Sequence, residues 1–405
     1  MIAYASYASE NRGRLEATAL VEMGCEVIFL VLKEGARPRT YDDGGITVRE
    51  LNIRKYCGKG TLHYLLSYLM FLCLAFLACT RLSLKDGISA VHVHNMPDFL
   101  VFAGLIPRLL GRQVILDVHD SVPETYMAKF GADSPLLFEI LRLEERICCW
   151  FATDIICVNA PQRHVLIDRG IPARKIATIL SVPRFSNPRY NREAQRSKDC
   201  FRLVYHGTIS RRLGLDLVIN AMAKVIPSVP GLEFHLYGAG DDLEEFLHLA
   251  QSLGVRDRIQ FHGVIDWSKL PEVLAEMDAG IVANRKNICT DLMLPAKLMD
   301  YVSLEIAAIA PRLRTIRYYF SEDMVSYFEP ENLDEMVEAI LRLYRDKSRR
   351  EWQATMAKRF LEEHRWESQR RCLRKVYFAT EDEPIGSTKD LTTSRQQSNP
   401  QQVTP

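Results

Sequence analysis

Short runs of aliphatic and β-branched residues alternate with amphipathic stretches along most of the chain, and a chain patterned this way has few folds open to it. In the first half the runs are Ile2 to Ser6, Glu26 to Leu32, Ala90 to His94, Val114 to Val118, Asp154 to Val158 and Ile176 to Leu180. Between them, Arg14 to Met23, Pro97 to Leu110 and Leu136 to Trp150 carry apolar residues at helical spacing. That is the rhythm of βαβ units around a parallel sheet. From Pro183 to Cys200 the composition turns to Pro, Asn, Arg, Ser and Lys, which places a linker at 186–199. A second α/β rhythm follows, with strands Arg202 to Tyr205, Glu233 to Tyr237, Ile259 to His262, Ala279 to Val282 and Ile306 to Ala310. Helices Leu215 to Val225, Leu243 to Leu253 and Ser268 to Glu276 separate them. The expectation is an α/β protein of two Rossmann-like domains, 1–185 and 200–365, then a charged helical region to Phe378 and a polar tail, 380–405, too poor in apolar residues to fold.

At 405 residues, 47% apolar and 25% charged, the chain can fill two ordinary cores. A formal charge of +1 supplies no basic surface of the kind nucleic acid demands, so nucleic acid is not an expected partner. The ten cysteines contain no Cys-x-x-Cys pair and mostly sit in apolar runs, as reduced thiols of a cytosolic protein do. Met1 runs straight into the strand-like Ile2 to Ser6 without the pattern of a secretory leader, so secretion is not expected.

Residues Gly60 to Thr80 contain no Asp, Glu, Lys or Arg. At ~1.5 Å rise per residue, such a helix is long enough to cross ~30 Å of hydrocarbon. Spanning would put strands of one parallel sheet on opposite sides of the bilayer, so two readings remain. One is a helix lying in the membrane interface, with Arg54, Lys55, Lys59, Arg81 and Lys85 near anionic headgroups. The other is a helix buried against the sheet.

Open α/β sheets bind ligands beyond the carboxyl ends of their strands. The residues there are Asn95-Met96-Pro97-Asp98, His119-Asp120-Ser121, His206-Gly207-Thr208 with Arg211-Arg212 and Gly214, Gly238-Ala239-Gly240, and the segment Leu294 to Tyr301. The set suits a nucleotide diphosphate. Gly207, Gly238 and Gly240 let backbone N–H groups approach phosphate, and Arg212 and Lys297 are the cations to neutralise a leaving group. Asp300, one turn beyond Lys297, is an acceptor for ribose hydroxyls. No clustered Asp/His motif points to a metal.

Taken in order, these segments resemble family 4 of the retaining glycosyltransferases over residues 1 to 378. The resemblance is carried by Asn11-Arg12-Gly13-Arg14, Val91 to Phe99, Leu116 to Asp120, His206 to Ile209, Gly214 to Leu217 and Leu294 to Tyr301. It implies the GT-B fold, two facing Rossmann-like domains with an interdomain cleft, and a final helix, 366–379, that crosses back to the first domain. It implies a nucleotide sugar donor on the second domain, held by Gly207, Thr208, Arg211, Arg212, Gly238, Gly240, Lys297 and Asp300. It further implies a glycan or lipid-linked acceptor near Arg12, Arg14, His94 and Asp98, with His119 touching the transferred sugar. His119, Arg212 and Lys297 are the expected catalytic residues, with neither cofactor nor metal. The expected location is the cytoplasmic face of a membrane, bound peripherally through 60–80.

Departures are informative. Of two acidic residues eight apart in the family pattern only the second survives, as Asp300; Leu292 takes the first position, with Asp291 beside it. The Gly-x-Pro that usually follows is Glu305-Ile306-Ala307. These changes keep two rivals to a transferase open: a binding scaffold that has lost turnover, and a sugar-nucleotide epimerase on the same fold.

Overall fold

The computed structural model describes residues 1–35, 39–56, 61–130, 134–183, 200–266 and 269–378. The expected linker at 186–199 and tail at 380–405 lie outside them. The chain forms two compact units. One comprises Met1–Val122, Glu139–Ile179 and the segment from Arg370; the other comprises Pro123–Phe138 and Leu180–Gln369.

The first unit is built on an eight-stranded sheet. Its strands are β1 (Ile2–Ala3), β2 (Val27–Leu32), β3 (Thr40–Asp43), β4 (Ile46–Leu51), β5 (Ala90–His94), β6 (Gln113–Val118), β7 (Asp154–Cys157) and β8 (Ile176–Thr178). The spatial order is β3-β4-β2-β1-β5-β6-β7-β8, parallel throughout except for the β3–β4 hairpin at the edge. Its helices are α1 (Asn11–Glu22), α2 (Thr61–Lys85), α3 (Leu105–Leu109), α4 (Val122–Phe130), α5 (Pro135–Phe151) and α6 (Ala160–Asp168), of which α4 and the first turn of α5 cluster with the second unit. That assignment moves 123–138 out of the expected 1–185 domain.

Helix α2 links β4 to β5 across β2 and β1. Phe71, Ala75, Cys79 and Leu82, spaced at about one turn, pack on the sheet, whereas Leu62, Leu65, Leu66, Leu69, Met70, Leu77 and Leu84 are exposed. The buried-helix reading therefore fails over most of its circumference. Among the described residues this is the one helix long and apolar enough to cross a membrane.

The second unit has a six-stranded parallel sheet in the order β11-β10-β9-β12-β13-β14. These strands are β9 (Phe201–His206), β10 (Leu232–Tyr237), β11 (Ile259–Gly263), β12 (Ala279–Ile281), β13 (Ala307–Pro311) and β14 (Ser326–Phe328). Side chains alternate between two cores: Leu203 and Tyr205 enter one, and Val204 enters the other. On the first core, α7 (Leu215–Val225) buries Leu215, Val218, Ile219, Met222 and Val225, the 3–4 spacing of an amphipathic helix. The remaining helices are α8 (Leu243–Ser252), α9 (Leu270–Ala275), α10 (Ala296–Ser303), α11 (Arg314–Tyr319), α12 (Leu333–Arg345), α13 (Lys347–Glu363) and α14 (Trp366–Phe378). Helices α12 and α13 begin where Asn332 and Asp346 accept from the N–H groups of Glu335 and Arg349. Helix α14 is shared. Gln369 accepts from the Leu180 N–H at 2.9 Å, while the later Tyr377 hydroxyl bonds His92 Nδ1 at 2.8 Å in the first unit.

Candidate active site

In the first unit, β5 and β6 pair His94 with Asp117 across their register. His92 and His94, two apart on one strand, face the same way, and α1 sends Arg12 and Glu16 toward them from one helical face. Asp117 is the hub of this buried group. Arg12 holds it at two points, Nε to Oδ2 at 3.0 Å and Nη2 to Oδ1 at 3.2 Å. Asp117 Oδ2 also lies 3.1 Å from His119 Nε2 and 3.2 Å from His94 Nδ1. Burial pushes the Asp117 carboxyl up, but Arg12 and His119 outweigh it and hold the group well below the usual carboxylate range. Burial lowers the His119 pKa, yet Asp117 more than restores it, and the net shift is upward. Burial and the neighbouring His92 hold His94 well below the ordinary histidine value. The result is a neutral His94 beside a His119 that favours its cationic form. His119 has a side chain 19% exposed, and its backbone N–H donates to Asn95 Oδ1 at 2.8 Å.

Arg12, His94 and Asp98 do not present themselves to an acceptor as expected. Arg12 is committed to Asp117, to Glu16 at 3.0 Å and to the Ile179 carbonyl at 2.9 Å. His94 and Asp98 are fully buried, and Asp98 accepts from Asn95 Nδ2 at 2.8 Å. Arg14, by contrast, is half-buried, stacked over Tyr7 and near Asp43. Asp117, Glu16 and His92 were given no role by the sequence pattern. A carboxylate inside the apolar run Val114 to Val118 was the available signal, because such a group is rarely buried without a partner. Glu16, His92, His94 and Asp117 place ligand-type atoms within 4.8 Å of one another. Arg12 already supplies the positive charge that this set would offer a cation.

The second unit gathers its polar residues where β9 and β10 end. Lys297, in the first turn of α10, lies 4.3 Å above the Tyr205 ring and donates to its hydroxyl at 3.3 Å. That hydroxyl in turn donates to the Thr208 carbonyl at 2.6 Å, so Lys297 is held under the turn at Gly207. Asp300 Oδ2 lies 3.5 Å from His206 Nε2. Burial, with Arg212 in addition, draws the Lys297 pKa down to about 8 against the opposing pull of Asp300. Burial likewise raises Asp300 to about 8, opposed by Lys297. Both groups are pushed toward their neutral forms by the same cause. Among the described residues neither Arg212 nor Lys297 has a carboxylate within ion-pair distance. Two like charges thus converge near one turn, and the carboxylate that acts on Lys297, Asp300, stands outside ion-pair distance and is itself pushed toward its neutral form.

Three expected donor contacts have other duties. Arg211 pairs with Glu245 on the surface. The Gly207 N–H donates to the Tyr237 carbonyl at 3.0 Å, and the Gly238 N–H to the Gly263 carbonyl at 2.7 Å, so neither is offered to an anion. Gly238 and Gly240 are needed for another reason: a Cβ would fall 1.8 Å from the Gly207 carbonyl oxygen or 1.7 Å from that of Ile209. These glycines clamp two loops together. Arg285, outside the expected set, fixes the same turn by donating to the Arg211 and Arg212 carbonyls and pairing with Asp216. Asp291 does not replace the acid missing at Leu292, because its carboxylate accepts from the Arg314 N–H at 3.1 Å at the start of α11.

A family model described as Glycosyl transferase 4-like domain matches residues 11–180, and one described as Glycosyl transferases group 1 matches residues 200–346. The chain belongs to the group 1 glycosyltransferases. Solved structures share the two-domain GT-B fold with this glycosyltransferase. Sucrose-phosphate synthase from Thermosynechococcus elongatus aligns with TM-score 0.73 at 16% identity, covering 93% of this chain and 98% of that one. Anabaena HepE in complex with UDP and glucose aligns with TM-score 0.69 at 13% identity over 94% and 99%. Among curated relatives, the phosphatidylinositol N-acetylglucosaminyltransferase GPI3 subunit of Saccharomyces cerevisiae is 19% identical over 263 residues, 63% of this chain and 55% of the relative. A phosphatidylinositol N-acetylglucosaminyltransferase component from Arabidopsis thaliana is also 19% identical, over 259 residues. The chain thus spans about half the length of the curated relatives it matches.

Proposed function

We propose that this glycosyltransferase moves a sugar from a nucleotide diphosphate sugar to a lipid-linked or glycan acceptor, with retention of anomeric configuration, on the cytoplasmic surface of a membrane. The observation that carries the donor assignment is the convergence of Arg212 and buried Lys297 near the Gly207 turn, where no carboxylate at ion-pair distance supplies a negative charge and Asp300 is pushed toward its neutral form. A diphosphate supplies that charge, and the low-dielectric setting makes the two cations strong stabilisers of the departing group. The sugar C1–O bond to the diphosphate breaks as the acceptor hydroxyl attacks from the same face, and the leaving phosphate oxygen takes the hydroxyl proton. The scheme needs neither a side-chain base nor a metal. Asp300 is assigned to the ribose, and His119 to the hydroxyls of the transferred sugar.

The membrane assignment is supported by the exposed leucines of α2 and by the phosphatidylinositol in the names of the curated relatives. A scaffold that binds without turnover is the second reading, favoured by the loss of one acid at Leu292 with Asp291 diverted to α11. Thermal-shift screening against UDP, GDP, ADP, TDP and their sugars identifies the donor, since a ligand at ~100 times its Kd stabilises by ~2.7 kcal/mol. Arg212→Ala and Lys297→Ala are each expected to weaken nucleotide binding at least ~10-fold. Unchanged affinity in both would remove these residues from the site. Release of sugar products without any acceptor would point instead to the epimerase class.

A further inference from the structure

A cationic cavity sits at the far end of the first unit from the histidines. Its volume is about 810 Å³, and its walls include Arg108, Arg146, Arg174, Ile147, Trp150 and Lys175. Arg108 precedes β6, Trp150 precedes β7 and Lys175 precedes β8, so the cavity opens at the amino ends of these parallel strands. His94 and His119 lie at the carboxyl ends. The cavity is therefore separate from the site that would hold an acceptor.

Lys175 is used internally, donating to the carbonyls of Cys149, Trp150 and Ala152 where α5 ends. The arginines are different. Among the described residues Arg108, Arg146 and Arg174 make no ion pair, and Arg108 instead stacks over Phe151. Three arginines around one concavity, none with a carboxylate at ion-pair distance among the described residues and with Asp154 acting on Lys175, leave a surplus of positive charge that favours an anionic occupant. Burial and then Arg108 lower the Lys175 pKa, with Arg174 adding to the effect and Cys149 and Asp154 opposing it.

The rim of the cavity is apolar. Ile140, Leu143, Ile147 and Trp150 recur at helical spacing on α5 and are exposed, Trp150 to 77%. Helices α2, α3 and α5 each carry the chain in the same direction across the sheet, from β4 to β5, β5 to β6 and β6 to β7. Right-handed crossovers put all three on one face. Phe102 meets Phe151 at 4.9 Å, joining the segment before α3 to α5. The outer surface of this layer presents the leucines of α2, then Leu105, Leu109 and Leu110, then the α5 stripe. An exposed tryptophan beside arginines is the combination that settles at a lipid headgroup layer.

We propose that the cavity at the end of α5 is a binding site for the phosphate of an anionic phospholipid, with Arg108, Arg146 and Arg174 on the headgroup and Trp150, Ile147 and Leu143 among the acyl-chain ends. The inference extends the membrane reading of α2 to a second, lipid-selective contact and rests on that reading. It makes membrane affinity depend on lipid charge as well as on apolar area.

Flotation of the full chain with phosphatidylcholine vesicles, with and without phosphatidylglycerol, tests it on the wild type, Arg146→Glu/Arg174→Glu, Trp150→Ser and Leu66→Glu/Leu69→Glu. The arginine variant is expected to lose at least ~10-fold in affinity for anionic vesicles while keeping the weaker binding to neutral ones. Nucleotide-induced thermal stabilisation equal to wild type confirms that each variant is folded. If the arginine variant binds anionic vesicles like wild type while the leucine variant does not, the cavity proposal falls and the α2 reading stands. If neither variant loses binding, both fall. Binding of inorganic phosphate that the arginine variant abolishes, with vesicle binding intact, would make this a site for a free anion and overturn the lipid assignment. Self-association of the wild type that Trp150→Ser abolishes, with vesicle binding unchanged, would assign the α5 stripe to a protein contact and also overturn it.

Discussion

Arg12 Nε lies 3.0 Å from Asp117 Oδ2, and the guanidinium closes a second bond to Oδ1, which makes a helix residue the counter-ion of a carboxylate buried inside the sheet. The same carboxylate is shared with His119 and His94. An uncompensated charge there has no access to water, since Asp117 is completely buried.

Arg12→Leu is accordingly expected to destabilise the first unit by ~3–5 kcal/mol, the range found when one partner of a buried pair is removed. Arg12→Leu combined with Asp117→Leu is expected to recover part of that loss, because no orphan charge remains. Chemical denaturation of the two singles and the double reads the coupling. Additive costs would mean that the two residues act independently.

His119 carries the sugar assignment, and its pKa is raised in the folded protein by Asp117 after burial has lowered it. A histidine raised on folding contributes stability that is fully present below the unfolded value of ~6.5 and is lost as pH rises through the folded value. His119→Gln is expected to remove that alkaline-side loss from the stability profile. Its turnover should fall while affinity for the free nucleotide diphosphate stays near wild type, because the proposed nucleotide contacts belong to the other unit. Wild-type turnover in the folded variant would refute the catalytic role, and a lowered nucleotide affinity would refute the division of labour.

Lys297 gives binding a pH dependence of known sign. Burial first, and Arg212 in addition, bring its pKa to about 8 in the free protein, against the opposing pull of Asp300. A bound diphosphate favours the charged form, so above pH ~8 binding must take up a proton and affinity falls by up to ~10-fold per pH unit. Phosphate, with a second pKa of ~6, is already ionised in this range. Lys297→Arg stays charged and is expected to flatten the profile. Titration calorimetry from pH 7 to 9.5 in buffers of different ionisation enthalpy checks both the slope and the proton uptake; a flat wild-type profile would contradict the assignment.

The architecture was largely legible because parallel strands covered on both faces read as continuous apolar runs. Leu215–Val225 and Ala90–His94 match their expected limits. The β3–β4 hairpin was missed, although Asp43-Gly44-Gly45 marks its turn, because Thr40–Asp43 is short, polar and mostly exposed. Lys297 and Arg212 drew attention in the sequence because glycine turns after strands point to nearby cations, and the structure places Lys297 under the Gly207 turn. That Arg12 is the counter-ion of Asp117 was not legible, for a reason sequence cannot overcome. Its partner lies 105 positions away, and only the β5–β6 register brings Asp117 under the histidines. The same holds for Gly238 and Gly240, whose need for glycine comes from a facing loop rather than from a ligand.

That facing loop yields a graded prediction. Gly207 and Gly238 approach so closely that an alanine Cβ at 238 would meet the Gly207 carbonyl oxygen at 1.8 Å, and one at 240 would meet the Ile209 carbonyl oxygen at 1.7 Å. Both obstacles are backbone, which cannot rotate away as a side chain does. Alanine at either position must separate the loops and break the bonds from Gly207 N to Tyr237 O and from Ile209 N to Ala239 O, now 3.0 and 2.9 Å. A cost of ~1–3 kcal/mol is expected from the displacement, with added strain at 238, where φ is +142°. Gly254→Ala is the control: it shares a positive φ, +67°, but has no atom within 4 Å of the new Cβ, so only the ~1 kcal/mol conformational term applies. Nucleotide affinity should separate them further, since moving the Gly207 turn shifts Thr208 and with it the Tyr205 hydroxyl that positions Lys297. Melting temperature and nucleotide titration of all three variants give the comparison. Gly238→Ala and Gly240→Ala behaving like Gly254→Ala in both would show that the two loops have room to part, and that the clamp does not hold Lys297 in place.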